Sequence, residues 1–94
     1  MFALRVTYLG FDAQVDQRLT AIVGKVPDDS RYEYLVGRRT LYWHFTSITY
    51  AQMGETRLTA VWHVVNRRHG DSAKRAWRTM RVEIEDDADP ITRP

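Results

Sequence analysis

Apolar and polar residues alternate with a period of two in several stretches of the chain, which predicts the strands of a sheet. The clearest stretch is 37–46, where Leu41, Trp43 and Phe45 share one fully apolar face. The opposite face of the same stretch is amphipathic and can contact water or a partner. A strand with such an apolar face is expected at the centre of a sheet, paired on both sides.

Three further stretches predict the remaining strands. Residues 2–9 alternate cleanly, with Phe2, Leu4, Val6 and Tyr8 on one face. Residues 32–36 predict a second strand, followed by a short hairpin connection at 37–39 in which Gly37 forms a bulge or takes a positive φ. Residues 79–85 predict the fourth strand, which directs three apolar residues towards the core: Met80, Val82 and Ile84.

Two stretches show helical spacing instead. The first follows Asp12, a plausible N-cap, precedes Gly24, which suits the left-handed C-cap position, and has one apolar stripe: Val15, Leu19, Ile22 and Val23. The second starts at Ser47, its predicted cap, and has one stripe made of Ala51, Glu55, Leu58, Trp62 and Val65. Gly54 costs about 1 kcal/mol relative to alanine, so this helix is predicted to have loose first turns or to begin near Glu55. Residues 71–75 are predicted to be a loop.

The order β-α-β-β-α-β predicts an α+β fold of the ferredoxin-like type, in which both helices cover one face of a four-stranded antiparallel sheet. The expected strand order is 4-1-3-2, within a single domain that spans residues 1–94. Residues 86–94 are acidic and contain prolines, which predicts a flexible tail. The uncovered sheet face is expected to carry Arg5, Thr7, Glu33, Tyr42, His44, Thr79 and Arg81.

Composition narrows the functional classes. The chain contains no cysteine, which excludes disulfides, thiolate zinc sites and cysteine nucleophiles and fits a reducing cytoplasm. No apolar run approaches the roughly 20 residues that a membrane helix needs, so no membrane association is expected. Three separated histidines without paired carboxylates do not form a defensible metal site. We therefore expect no cofactor, metal site or catalytic residue.

The net charge of +2 conceals an asymmetry along the chain. Residues 83–94 contain five acids and one base, which leaves 13 bases and 7 acids, or +6, in residues 1–82. A basic body is compatible with nucleic acid or with an acidic protein, and equally with a surface that simply uses arginine freely.

Two groups of side chains are candidates for binding a partner, although a solvated surface would also explain each. Arginines bind phosphates and carboxylates, while aromatic rings stack on bases or anchor protein contacts. The first group lies on the uncovered sheet face and comprises Arg5, Tyr42, His44 and Arg81. The second comprises Arg38 and Arg39 at the hairpin, with Arg67, Arg68, Arg75, Trp77 and Arg78 between the second helix and the fourth strand.

These patterns favour a small non-enzymatic interaction module, a regulator or inhibitor, including a phage- or mobile-element-encoded one. A protein or nucleoprotein partner is favoured, nucleic acid is an alternative, and a homodimer through the uncovered face or the second strand's edge is also expected. The RNA-recognition motif shares the predicted topology, but its glycine-aromatic signature is not reproduced in 37–45.

The second functional alternative is a small ferredoxin-like endoribonuclease that uses Asp12 or His44. An acid soon after the first strand resembles the arrangement in the ferredoxin-like nucleases of CRISPR spacer acquisition and the related antitoxin endoribonucleases. In that family the acid directly ends the strand, whereas here residues 9–11 intervene. A helix-capping role explains Asp12 without chemistry.

Overall fold

The computed structural model describes residues 1–65 and 71–86. Its elements are β1 Phe2–Leu9, α1 Ala13–Val23, β2 Asp29–Glu33, β3 Arg38–Phe45, α2 Ile48–Val65, α3 Asp71–Thr79 and β4 Arg81–Asp86. The four strands form one antiparallel sheet in the order β2-β3-β1-β4. The predicted ferredoxin-like α+β fold and its strand order are confirmed.

The core lies between one face of the sheet and the helices. Its buried members are Leu4, Val6 and Tyr8 of β1, Leu41 and Trp43 of β3, Val15, Leu19 and Val23 of α1, Leu58 of α2, and Ala76 and Trp77 of α3. Trp43 is fully buried, and its indole Nε1 donates to the carbonyl oxygen of Lys25 at 2.8 Å. The one polar atom of this side chain is therefore satisfied within the core. None of the helices in the described ranges combines the length and apolar character needed to cross a lipid bilayer.

The predicted position of the second strand was wrong. β2 is Asp29–Glu33, and residues 34–37, assigned to the strand and its connection, form the turn instead. Pairing begins early because Asp29 lies opposite Tyr42 in the register, next to a backbone hydrogen bond from Asp28 N to Tyr42 O of 2.8 Å. Gly37 has a φ of 62°, which is one of its two predicted roles, and it ends the turn. β3 therefore begins at Arg38, inside the predicted connection at 37–39.

The second helix begins earlier than one of the predicted alternatives and passes through Gly54 without a break. α2 starts at Ile48, and the Ser47 hydroxyl accepts a hydrogen bond from Thr49 N at 3.2 Å, which confirms the predicted cap. Gly54 is buried, and a Cβ atom built on it would lie 2.7 Å from Leu4 Cδ2. Glycine is thus required here by the close approach of the helix to β1.

The loop predicted at 71–75 was also wrong, because these residues begin helix α3. Ala76 and Trp77 bury against the core and give this charged helix an apolar side. The tail prediction fails at Asp86, which belongs to β4 and pairs with Phe2. Residues 87–94, the rest of the predicted tail, lie outside the described residues, as do 66–70.

Candidate functional site

The uncovered face of the sheet contains an open depression of about 670 Å³. Thr7 of β1 lies at its centre, paired in the register with Thr40 of β3 on one side and Arg81 of β4 on the other. Directly paired residues of an antiparallel sheet project to the same side, so these three side chains share the floor. Arg38 and Arg78 line the same depression from the start of β3 and the end of α3.

Three of the arginines around the depression have no acidic partner among the described residues. Arg38, Arg78 and Arg81 make no ion pair or side-chain hydrogen bond within the described part of the chain. Glu33 lies opposite Arg38 in the register and lines the depression, but it is not within ion-pair distance of it. This end of the sheet face therefore carries three arginines that form no ion pair among the described residues, together with one glutamate, Glu33.

Two threonine hydroxyls on the floor of the depression are also available to bind a ligand. Neither Thr7 nor Thr40 forms a side-chain hydrogen bond with another described residue. Thr40 is only 8% exposed. Among the described residues, every side-chain polar atom that is fully enclosed has a hydrogen-bond partner, so an unpartnered hydroxyl must have some contact with solvent. The hydroxyl of Thr40 therefore reaches solvent through the depression.

The opposite end of the face is acidic and already paired. The Arg5 guanidinium forms ion pairs with Glu83 and with Glu85. Burial lowers the pKa of Arg5, but the hydrogen bond to Glu83 and the charge of Glu85 outweigh it and hold the pKa above its ordinary value. Arg5, predicted to bind a partner, lines the depression and is held between two acids of its own sheet.

Tyr42 and His44 lie near this acidic end and make contacts within the chain. The Arg31 guanidinium lies 5.7 Å from the centroid of the Tyr42 ring. The backbone N–H of His44 donates to Asp28 Oδ2 at 2.6 Å. This hydrogen bond, together with the charge of Lys25, holds the pKa of Asp28 below its ordinary value.

The other predicted binding residues are spread over different environments. Arg39 is used internally, because it pairs with Asp16 and lies 4.8 Å above the Phe11 ring. Trp77 is 1% exposed and belongs to the core, so its side chain is not presented to a partner. Arg75 is exposed but does not line the depression. Arg67 and Arg68 lie outside the described residues.

A second surface lies beside the edge of the second strand, where the sequence predicts a strand whose exposed Tyr32 and Tyr34 could support self-association and the structure has a turn from residue 34. At the turn between β2 and β3, Tyr34 is 86% exposed and Leu35 is 100% exposed, with Val36 exposed beside them. The centroid of the Tyr32 ring lies 5.7 Å from that of Phe11 and 6.1 Å from that of Tyr34, and both ring pairs pack edge to face. We call this set of residues, Phe11, Tyr32 and 34–36, the hairpin patch. The sequence feature that indicates this patch is the largely apolar stretch 32–36, which by its residue types predicts a strand.

The carboxylate of Asp12 has a structural role in this conformation. Its Oδ1 accepts hydrogen bonds from Gln14 N at 2.9 Å and Val15 N at 3.3 Å, which confirms the predicted N-cap of α1. In residues 1–65 and 71–86, no group of three or more histidine, aspartate or glutamate side chains is arranged to hold a metal ion.

No protein-family model matches this chain, and neither a curated protein nor a solved structure is significantly similar to it. The function must therefore be inferred from the depression and the hairpin patch.

Proposed function

We propose that the protein is a small non-enzymatic interaction module, a regulator or inhibitor, that binds a protein partner through the hairpin patch. The observation that carries this proposal is the exposure of Tyr34, Leu35 and Val36 together at the tip of one turn. Contiguous apolar side chains at the surface mark interaction sites, since single exposed apolar residues are common but clusters are not. Tyrosine is also enriched among residues that dominate binding energy.

The patch is fixed to the body of the fold. Tyr32 packs edge to face between Phe11 and Tyr34, so the rings support one another. Gly10 N donates to Gly37 O at 2.7 Å, which ties the end of the turn to the segment that leaves β1. A surface ordered before binding loses less conformational entropy when a partner docks, and this favours recognition of one defined shape.

Charge around the patch indicates the chemistry of the partner. Arg38 follows the turn directly and has no ion-pair partner among the described residues. The net formal charge of +2 adds a weak, longer-range positive field. A partner with an apolar groove and an acidic rim fits this surface, because complementary charge speeds association and excludes basic competitors.

A second copy of the chain fits the patch less well than a different protein. In a two-fold dimer, the same surface meets itself, so the Arg38 side chains beside the patch would approach each other. Like charges placed together are unfavourable, which makes a homodimer the weaker version of the proposal. The cysteine-free chain is consistent with a cytoplasmic partner.

The nucleic-acid alternative has less support from the sheet face. The Arg31 guanidinium lies 5.7 Å from the centroid of the Tyr42 ring, where a stacked base would have to compete with it. Glu83 and Glu85 add negative charge to the same face and would repel a phosphate backbone that crossed it.

The test compares two exposed apolar positions, one within the patch and one outside it. Leu35→Asp changes the hairpin patch, whereas the matched control Val26→Asp changes an exposed residue between α1 and β2. Each protein is immobilised and exposed to extract of the native host, and the proteins captured by the wild type are then purified for binary titration. We expect Leu35→Asp to weaken binary binding by about tenfold or more, and Val26→Asp to leave it unchanged. Equal binding by all three proteins would remove the patch from the interface.

A further inference from the structure

We propose that the depression on the uncovered sheet face is a binding site for a phosphate monoester. Apart from Arg38, which follows the hairpin patch and also lines the depression, this site uses other residues than the patch, so it does not rest on the proposed function. Its cationic groups are Arg38, Arg78 and Arg81, and its neutral donors are the hydroxyls of Thr7 and Thr40.

The three arginines come from three elements and line one depression. Arg38 begins β3, Arg78 lies in the last turn of α3, and Arg81 begins β4. Guanidinium groups bind phosphate oxygens through paired N–H donors, and they do so best when no carboxylate occupies those donors. None of the three has such a carboxylate within the described part of the chain.

The floor supplies donors where the arginines supply charge. The paired Thr7 and Thr40 present two hydroxyls without hydrogen-bond partners among the described residues. Each hydroxyl can donate one hydrogen bond to a phosphate oxygen. Because Thr40 is nearly buried, a ligand that reaches its hydroxyl must enter the depression rather than pass over its rim.

The net charge of the lining matches a dianion. Among the described residues, the lining contains four arginines and two glutamates, a net formal charge of +2. A phosphate monoester carries about −1.5 to −2 near neutral pH. The acids at one end of the face argue against an extended nucleic-acid strand, since Glu83 and Glu85 both lie against Arg5 there. A compact terminal phosphate fits both the charge of the lining and the short distance that these acids leave open.

The test is a titration of the full chain with inorganic phosphate at constant ionic strength, followed by amide chemical shifts and by calorimetry. We expect saturable binding at one site, weakened about tenfold in Arg81→Gln and about threefold in Thr40→Val. The matched control is Arg75→Gln, an exposed arginine of α3 that does not line the depression. Thermal melts verify that each variant is folded, and Leu35→Asp is expected to bind phosphate like the wild type.

Phosphoserine and a nucleoside 5′-monophosphate then separate the two sources of the same chemistry. The tighter of the two identifies the source, and either one binding with the variant pattern above supports the site. Tighter binding of a single-stranded oligonucleotide than of either monoester would overturn it in favour of nucleic acid. Absence of saturable binding, or equal binding by the wild type, Arg81→Gln and Thr40→Val, would show that the depression is only solvated.

Discussion

Arg39 Nε donates a hydrogen bond to Asp16 Oδ2 at 2.9 Å, and Nη2 of the same guanidinium forms an ion pair with that oxygen at 2.7 Å. The other oxygen, Oδ1, accepts from the hydroxyl of Tyr8. Through this one carboxylate, helix α1 is joined to both central strands of the sheet. The side chains of Arg39 and Asp16 are 14% and 16% exposed, so the pair is screened less than a surface ion pair.

The first prediction is that this pair contributes to stability. Asp16→Asn should lower the free energy of unfolding by about 2 kcal/mol, because it leaves the Arg39 guanidinium partly buried without its counter-charge. Arg38→Gln, an exposed neighbour on the same strand, should change it by no more than about 0.5 kcal/mol. Urea unfolding of both variants measures the difference. Equal effects would mean that the pair has no more influence than an exposed charge.

The second prediction concerns alkaline pH and Tyr8. Burial raises the pKa of Tyr8 well above its ordinary value of about 10, and the hydrogen bond to Asp16 raises it further. Above that ordinary value the folded state keeps a proton that the unfolded state loses. The stabilisation is therefore complete below about pH 10 and is lost as the pH rises towards the folded-state pKa.

Tyr8→Phe removes this proton and supplies the comparison. Between about pH 10 and about pH 11, the wild type should lose about 1 kcal/mol more unfolding free energy than Tyr8→Phe. The two proteins share every other side chain, so the informative quantity is the difference between the slopes of their pH profiles. Parallel pH profiles would show that Tyr8 ionises equally readily in the folded and unfolded states.

The elements that the sequence predicted well are those with one strongly apolar face. β1 and β3 alternate without interruption, and α1 is bounded by Asp12 and Gly24 in the expected cap geometries. β2 lacks this signal, because every residue of Asp29–Glu33 is exposed at the sheet edge. Its neighbours at 34–36 are more strand-like by type, yet pairing with β3 places them in the turn.

The candidate site depends on contacts that no local pattern reveals. Alternation placed Arg81, Glu83 and Glu85 on the same side of the fourth strand. It did not reveal the register that puts Glu83, 78 positions along the chain, directly opposite Arg5. Arg78 joined the depression because α3 ends beside β4. That helix had one usable signal, the spacing of Ala76, Trp77 and Met80, which places them on one helical side.

The third prediction follows from the buried position of Trp77. Trp77→Ala should lower the free energy of unfolding by about 3–5 kcal/mol, because it removes a large side chain from the core. Arg78→Ala, at the adjacent exposed position, should change it by no more than about 0.5 kcal/mol. Chemical denaturation of both variants provides the measurement. A Trp77→Ala protein with nearly wild-type stability would place this side chain outside the core.

The fourth prediction opposes the usual effect of replacing glycine in a helix. Alanine is normally favoured over glycine inside a helix by about 1 kcal/mol. At position 54, however, the new Cβ would lie 2.7 Å from Cδ2 of Leu4. Leu4 is fully buried, so its side chain cannot move aside without displacing other core residues. Overpacking of a core typically costs about 1–3 kcal/mol, so the clash should outweigh the helix propensity.

Gly54→Ala is therefore expected to destabilise the protein, and Leu4→Ala supplies the matched test of the cause. Leu4→Ala alone should cost about 2–5 kcal/mol through the cavity that it creates. In the double variant the space left by Leu4 Cδ2 accommodates the new Cβ, so the combined loss should be smaller than the sum of the two single losses. Urea unfolding of the four proteins gives this coupling. Strict additivity, or a stabilising Gly54→Ala, would show that position 54 of α2 and Leu4 of β1 are not in close contact.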